Sequence, residues 1–227
     1  MMEFLLIDLD DTILDFHKAE HIAVRKTLRE FGVEPTEAVC SRYSDINRAH
    51  WEALERKELT REQVLVGRFA TLFREVGVEA DAVACARRYE GNLSEGHYFL
   101  PGALLAVQQL AKKYKLYLAS NGTKKVQASR LESAAIGKYF QDIFISQDMG
   151  ADKPSLAYFE ACFARIPGFD PKKAMIVGDS LSSDIQGGIN AGIATCWVNP
   201  AHKETKNIQP DYQIDALSQL EALLETI

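Results

Sequence analysis

Three aspartates crowd into the pentapeptide Asp8-Leu9-Asp10-Asp11-Thr12, directly after the apolar run Phe4-Leu5-Leu6-Ile7. Such a run reads as a buried strand, so the acidic cluster falls at the strand's C-terminal end. Open α/β sheets bind ligands at that edge. Crowded carboxylates repel one another and resist desolvation, which argues for a bound cation. Taken alone, the same residues also fit a solvated acidic turn with Thr12 as a helix cap.

Three later segments carry comparable groups, each after a predicted strand: Ser120-Asn121-Gly122, Asp152-Lys153-Pro154, and Gly178-Asp179-Ser180 with Asp184. Singly, each has a bland reading as a turn, a surface lysine or a helix cap. Together they suit phosphoryl transfer. Asp8 is placed as a nucleophile on phosphorus. Its charge repels a phosphate dianion, so a divalent ion must offset both. Mg²⁺ prefers oxygen ligands, and Asp8 and Asp179 are natural ones, with Asp184 placed to hold a metal-bound water. Asp10 would protonate the leaving oxygen and later deprotonate the attacking water. Ser120 and Asn121 offer polar contacts to phosphate, Gly122 a backbone N–H at a helix start, and Lys153 positive charge.

Positioning these groups requires a sheet. From Pro101 onward helix and strand alternate: helices over 101–112, 123–134, 155–165 and 182–190, and strands over 114–119, 142–146, 173–177 and 193–198. A weak strand near Tyr212-Gln213-Ile214 and a helix from 216 to the end follow. That rhythm predicts an α/β fold, a three-layer parallel sheet of Rossmann-like type. Residues 16–95 read instead as four amphipathic helices joined by short connections, interrupting the α/β domain (1–15 and 96–227) after its first strand. An insertion there is expected to act as a lid, with hinges at 13–17 and 95–101.

With 227 residues the chain can bury one good-sized core, or one core and a smaller domain. A formal net charge of -6 argues against polymeric nucleic acid as a partner and leaves a small phosphorylated metabolite open. Cys40, Cys85, Cys162 and Cys196 fit neither a metal nor a redox motif and read as buried thiols of a reducing compartment. No stretch is long enough to span a membrane, and the expected location is the cytoplasm, as a monomer or weak homodimer.

The four segments resemble the haloacid dehalogenase superfamily in its phosphatase branch, over essentially the whole chain. Asp8-Leu9-Asp10-Asp11-Thr12 is similar to the first motif, Asp-x-Asp-x-Thr; Ser120, Lys153 and Gly178-Asp179-Ser180 with Asp184 are similar to the other three. The resemblance implies an aspartyl-phosphate on Asp8, acid–base work by Asp10, and Mg²⁺ held by Asp8, the Asp10 backbone carbonyl and Asp179. Thr12 and Asp184 would support these ligands from behind. The insertion resembles the all-helical cap of that family. Asp11 departs from the commonest form, which has Gly there, and resembles the pyrimidine 5′-nucleotidase-like subgroup. Ile46-Asn47 with Trp51, and Leu59-Thr60 with Arg68-Phe69, look like that subgroup too.

The expected activity is therefore Mg²⁺-dependent phosphomonoester hydrolysis, with a pyrimidine nucleoside monophosphate as substrate. The alternatives are a sugar phosphate or phosphoglycolate, a phosphosugar mutase, or a 2-haloacid dehalogenase, whose members usually lack the second aspartate. Candidate substrate readers in the insertion are His17, Asn47 and Trp51, with Arg48 and Arg68. Trp51 either stacks a base or fills the bundle core, Asn47 either reads a base edge or lies exposed, and the two arginines read as surface groups.

Overall fold

Strand β1 (Phe4–Ile7) is buried at every residue because it lies at the centre of the sheet. The computed structural model describes residues 2–205 and 207–227. The chain forms two compact units, Met1–Asp15 with His97–Ile227, and Phe16–Gly96.

In the first unit β1 pairs in parallel with β2 (Lys115–Ser120) on one side and β4 (Ala174–Gly178) on the other. Strand β3 (Asp142–Ile145) adds outside β2, and β5 (Ala194–Val198) and β6 (Tyr212–Ile214) outside β4, giving the order β3-β2-β1-β4-β5-β6. The chain thus builds outward from β1 in both directions, and the crevice where the order reverses opens at the C-terminal end of β1.

Side chains alternate between two apolar layers. Leu5, Ile7, Leu116, Leu118, Met175 and Val177 face the helices Ala103–Leu110 and Leu220–Leu224. Phe4, Leu6, Tyr117, Ala119, Phe144 and Ile176 face Tyr158, Phe159 and Cys162 of the helix Leu156–Phe163. Burial on both faces explains why these strands are continuous apolar runs rather than alternating ones. The helix expected from 182 opens instead as a π turn (Leu181–Ile185) before the α-helix Gln186–Ala191, and a short helix Ser146–Met149 follows β3. All four cysteines are free and buried.

The second unit holds α1 (Phe16–Glu30), α2 (Glu37–Glu55), α3 (Arg61–Val76) and α4 (Ala82–Leu93). Their ends carry the local signals that stop helices. Thr36 and Asp81 cap α2 and α4, Thr60 and Gln63 close a capping box on α3, and Gly77 ends α3 in the left-handed region at φ 69°. Tyr43, Phe69 and Tyr89 form the aromatic centre, with ring centroids 5.1–5.5 Å apart.

Two polar residues expected on the surface of this bundle lie inside it. Asn47 and Arg68 are buried. The Asn47 amide donates to Glu20 Oε1 at 2.7 Å, and its carbonyl accepts from Arg68 Nη1 at 2.7 Å. Ser44 donates to the other Glu20 oxygen at 2.6 Å, and the Arg68 guanidinium packs 4.8 Å from the Tyr89 ring centroid. A buried charge needs such partners, and here a carboxylate on α1 and a guanidinium on α3 satisfy each other through one amide. Asn47 is thus committed to the interior. Asn47→Ala is expected to lower stability by about 1–3 kcal/mol, since it strands both charged neighbours. Thermal unfolding measures this. A variant of unchanged stability that lost discrimination among bases would show the amide to be a substrate contact instead.

The other readers fall differently. Trp51 is half-buried with Arg61 5.4 Å from its ring centroid, so it does not fill the bundle centre. His17 is exposed in the first turn of α1, and Arg48 is exposed and pairs with Asp45 at 2.6 Å.

Candidate active site

Asp8 continues the edge of β1, its N–H donating to the Val177 carbonyl at 2.9 Å. The chain then turns sharply: Ile13 N and Leu14 N both return to the Leu9 carbonyl, at 3.0 and 2.9 Å. Asp11 takes φ 54°, in the left-handed region. Aspartate is among the few non-glycine residues that visit it, so the turn survives the departure from glycine.

Lys153 ties three loops together. Its ammonium donates to Asp8 Oδ1 at 2.6 Å, to Asp184 Oδ1 at 2.6 Å and to the Ala119 carbonyl at 2.7 Å, which uses all three of its protons. Lys153, Asp184 and Asp8 are all buried. Asp179 joins them: one carboxylate oxygen from each of Asp8, Asp179 and Asp184 lies within 4.8 Å of the others. Asp184 reaches this position because residue 178 is glycine; a Cβ there would lie 2.2 Å from Asp184 Oδ2.

The electrostatics follow from burial and crowding. Burial pushes Asp8 up to about 8, Asp184 and Asp10 adding to the effect and Lys153 opposing it. Burial also drives Asp179 well above the usual carboxylate range, helped by Asp184, Asp8 and Asp11. Burial pulls Lys153 down, but Asp184 and Asp8 outweigh it and leave the lysine above its ordinary value, hence protonated. With all three carboxylates ionised against one ammonium, two negative charges would remain, which is why burial favours the protonated forms of Asp8 and Asp179. A single divalent cation with a preference for oxygen ligands fits that deficit.

Some expected contacts are already spent on building the site. The Asn121 side chain does not face outward toward a phosphate. Its amide donates to the Lys153 carbonyl at 2.9 Å and to Ser183 Oγ at 3.2 Å, and its oxygen accepts from Lys153 N at 2.9 Å. It fixes the backbone that delivers Lys153. The Gly122 N–H is likewise not open, since it donates to Ser120 Oγ at 3.1 Å. Ser120 Oγ also accepts from Gln127 Nε2 at 2.9 Å, so the hydroxyl keeps its own proton to donate. Thr12 is buried behind the turn.

Two residues went unread in the sequence. Gln127 and Arg130, on helix Lys124–Ala134, are both buried and both hold Asp10. Arg130 Nη1 donates to Asp10 Oδ1, and Gln127 Nε2 to Asp10 Oδ2 at 2.7 Å. The available signal was a polar pair at i, i+3 on the face that also carries Val126, Leu131 and Ala134.

The family model for haloacid dehalogenase-like hydrolases matches residues 5–198. The chain belongs to that family. It is 39% identical over 221 residues to the HAD-hydrolase YfnB of Bacillus subtilis, covering 97% of this chain and 94% of YfnB. The crystal structure of YfnB bound to magnesium superposes with a TM-score of 0.94 over 98% of each chain. Pyrimidine 5′-nucleotidase PynA of Streptococcus pneumoniae is 38% identical over 96% of this chain and 93% of its own length. Pyrimidine 5′-nucleotidase YjjG of Escherichia coli is 29% identical over 98% and 97%. As a haloacid dehalogenase-like hydrolase, the chain carries its acidic residues on the loops after β1 and β4, with Lys153 from the segment after β3. Among the described residues no helix is long and apolar enough to cross a membrane.

Proposed function

We propose that this hydrolase is a Mg²⁺-dependent phosphomonoesterase with pyrimidine nucleoside 5′-monophosphates as substrates. The observation that carries the chemistry is the convergence of Asp8, Asp179 and Asp184, with Lys153 paired to Asp8 and Asp184, a set two positive charges short of neutrality once all three carboxylates are ionised. Asp8, Asp179 and the Asp10 backbone carbonyl would hold the ion, with Asp184 and Thr12 supporting them. The ion supplies the positive charge that lets Asp8 ionise beside a phosphate dianion.

Asp8 attacks phosphorus, the bond from phosphorus to the ester oxygen breaks, and Asp10 gives that oxygen its proton. Water then gives a proton to Asp10 as its oxygen attacks the aspartyl-phosphate. The bond from phosphorus to Asp8 breaks, and inorganic phosphate leaves. Lys153 holds Asp8 in place throughout and offsets charge at the reacting oxygens. The Ser120 hydroxyl donates to a phosphate oxygen.

The base preference rests on the similarity to PynA and YjjG, since every phosphomonoester offers these residues the same phosphoryl group. The deciding test is a panel of nucleotides, deoxynucleotides, sugar phosphates and phosphoglycolate, assayed for phosphate release with Mg²⁺. The highest kcat/KM is expected for a pyrimidine nucleotide. A sugar phosphate well above every nucleotide would reject the base preference and keep the phosphomonoesterase. Incubation with 2-chloropropionate is expected to release no chloride, because Asp10 serves an ester oxygen as leaving group. Rapid chloride release would reject both readings.

A further inference from the structure

Resting on the reading of Asp10 as the acid and base, we infer that Gln127 and Arg130 are positioning residues that fix the Asp10 carboxyl for both proton transfers. The two donors come from one helix, three residues apart, and each takes a different oxygen of Asp10. Arg130 Nη1 also donates to Gln127 Oε1 at 2.9 Å. That bond settles which way the Gln127 amide points: its oxygen faces the guanidinium, so its NH₂ faces Asp10 and Ser120. One proton of that NH₂ goes to Asp10 Oδ2 at 2.7 Å and the other to Ser120 Oγ at 2.9 Å.

The arrangement is built rather than incidental. Arg130 is fully buried, and a guanidinium is rarely placed there without a dedicated partner. Gly122 makes room for the glutamine, since a Cβ there would lie 2.3 Å from Gln127 Nε2. The Asp10 side chain remains 27% exposed. A carboxylate offers about four lone-pair sites, and the helix occupies one on each oxygen, so each oxygen keeps a second for the reacting proton. The clamp therefore fixes the direction of the carboxyl without closing it off. It also ties the Asp10 carboxyl to the Ser120 hydroxyl through one amide, so the two groups keep a fixed separation.

The test compares leaving groups. An alkyl phosphate such as uridine 5′-monophosphate needs its leaving oxygen protonated, whereas p-nitrophenyl phosphate barely does. Arg130→Met and Gln127→Leu are each expected to lower kcat/KM for the nucleotide by about 10²-fold, the scale of a misplaced catalytic group, with a far smaller change for p-nitrophenyl phosphate. In an Asp10→Asn background neither substitution should lower nucleotide turnover further, because the group they position is gone. Equal losses on both esters would overturn the inference, as they would report damage to Ser120 or to the fold. So would multiplicative losses in the Asp10→Asn background. If Arg130→Met does not fold, Gln127→Leu leaves the ion pair in place and carries the same comparison. Asp10→Asn alone separates the levels. If it lowers both esters equally, the acid role of Asp10 falls and the inference with it. If it is selective and the helix variants are not, only the inference falls.

Discussion

Asp8→Asn is expected to leave the fold intact and to remove turnover, by about 10⁴-fold or more in kcat, the scale on which enzymes lose activity with their nucleophile. The amide is isosteric and a poor nucleophile, and its oxygen can still accept the bond that Lys153 gives Asp8 at 2.6 Å. Stability should move the other way. Burial and the neighbouring carboxylates push Asp8 up to about 8, so its ionised form strains the metal-free site. Asn relieves that repulsion, and the variant should unfold in EDTA at a temperature equal to or above that of the parent at pH 8. Phosphate release and thermal unfolding measured on the same preparation decide the matter. A variant that retained a few per cent of the parent's turnover would remove Asp8 from the nucleophile's role.

The sheet was legible because burial on both faces leaves a plain mark: Phe4-Leu5-Leu6-Ile7 and Ala174-Met175-Ile176-Val177 are uninterrupted apolar runs. The acidic and lysine loops were legible because charged groups against such runs need partners. What sequence reading missed is the set of polar residues buried on helices. Arg68 and Arg130 sit among ordinary helix formers, and a solvated surface is the default expectation for an arginine. Their partners lie far along the chain: Arg130 meets Asp10 and Arg68 meets Asn47. Only tertiary packing pairs them. The side-chain partners of Asn121 were not legible for a related reason. A turn residue beside a phosphate site reads as a ligand, whereas the fold uses its amide to hold the backbone of Lys153.

Removing Mg²⁺ is expected to stop phosphate release and to make stability fall as pH rises. The unfolded Asp8 loses its proton near pH ~4, the ordinary carboxylate value, and the folded one near pH 8. Below the first value both states are protonated, so stability does not vary with pH and the favourable contribution of the folded-state proton is fully present. Between the two the folded protein holds a proton that the unfolded chain has released, so protonation favours folding and each rise in pH weakens it. Above about 8 the loss is complete. Asp179, pushed in the same direction by burial, deepens the trend. A bound divalent ion reverses it, since it needs its ligands deprotonated and replaces the missing counter-charge. At about 100 times Kd an ion adds about 2.7 kcal/mol, a rise of roughly 5–10 °C in unfolding temperature for a chain of this size. That rise should be large at pH 8 and small at pH 5, where ligand and proton compete. Thermal unfolding with EDTA and with Mg²⁺ across this range, beside p-nitrophenyl phosphate turnover, supplies the measurement. An Mg²⁺ effect independent of pH would mean that the ion binds away from Asp8 and Asp179. Full turnover in EDTA would mean that Lys153 alone supplies the counter-charge.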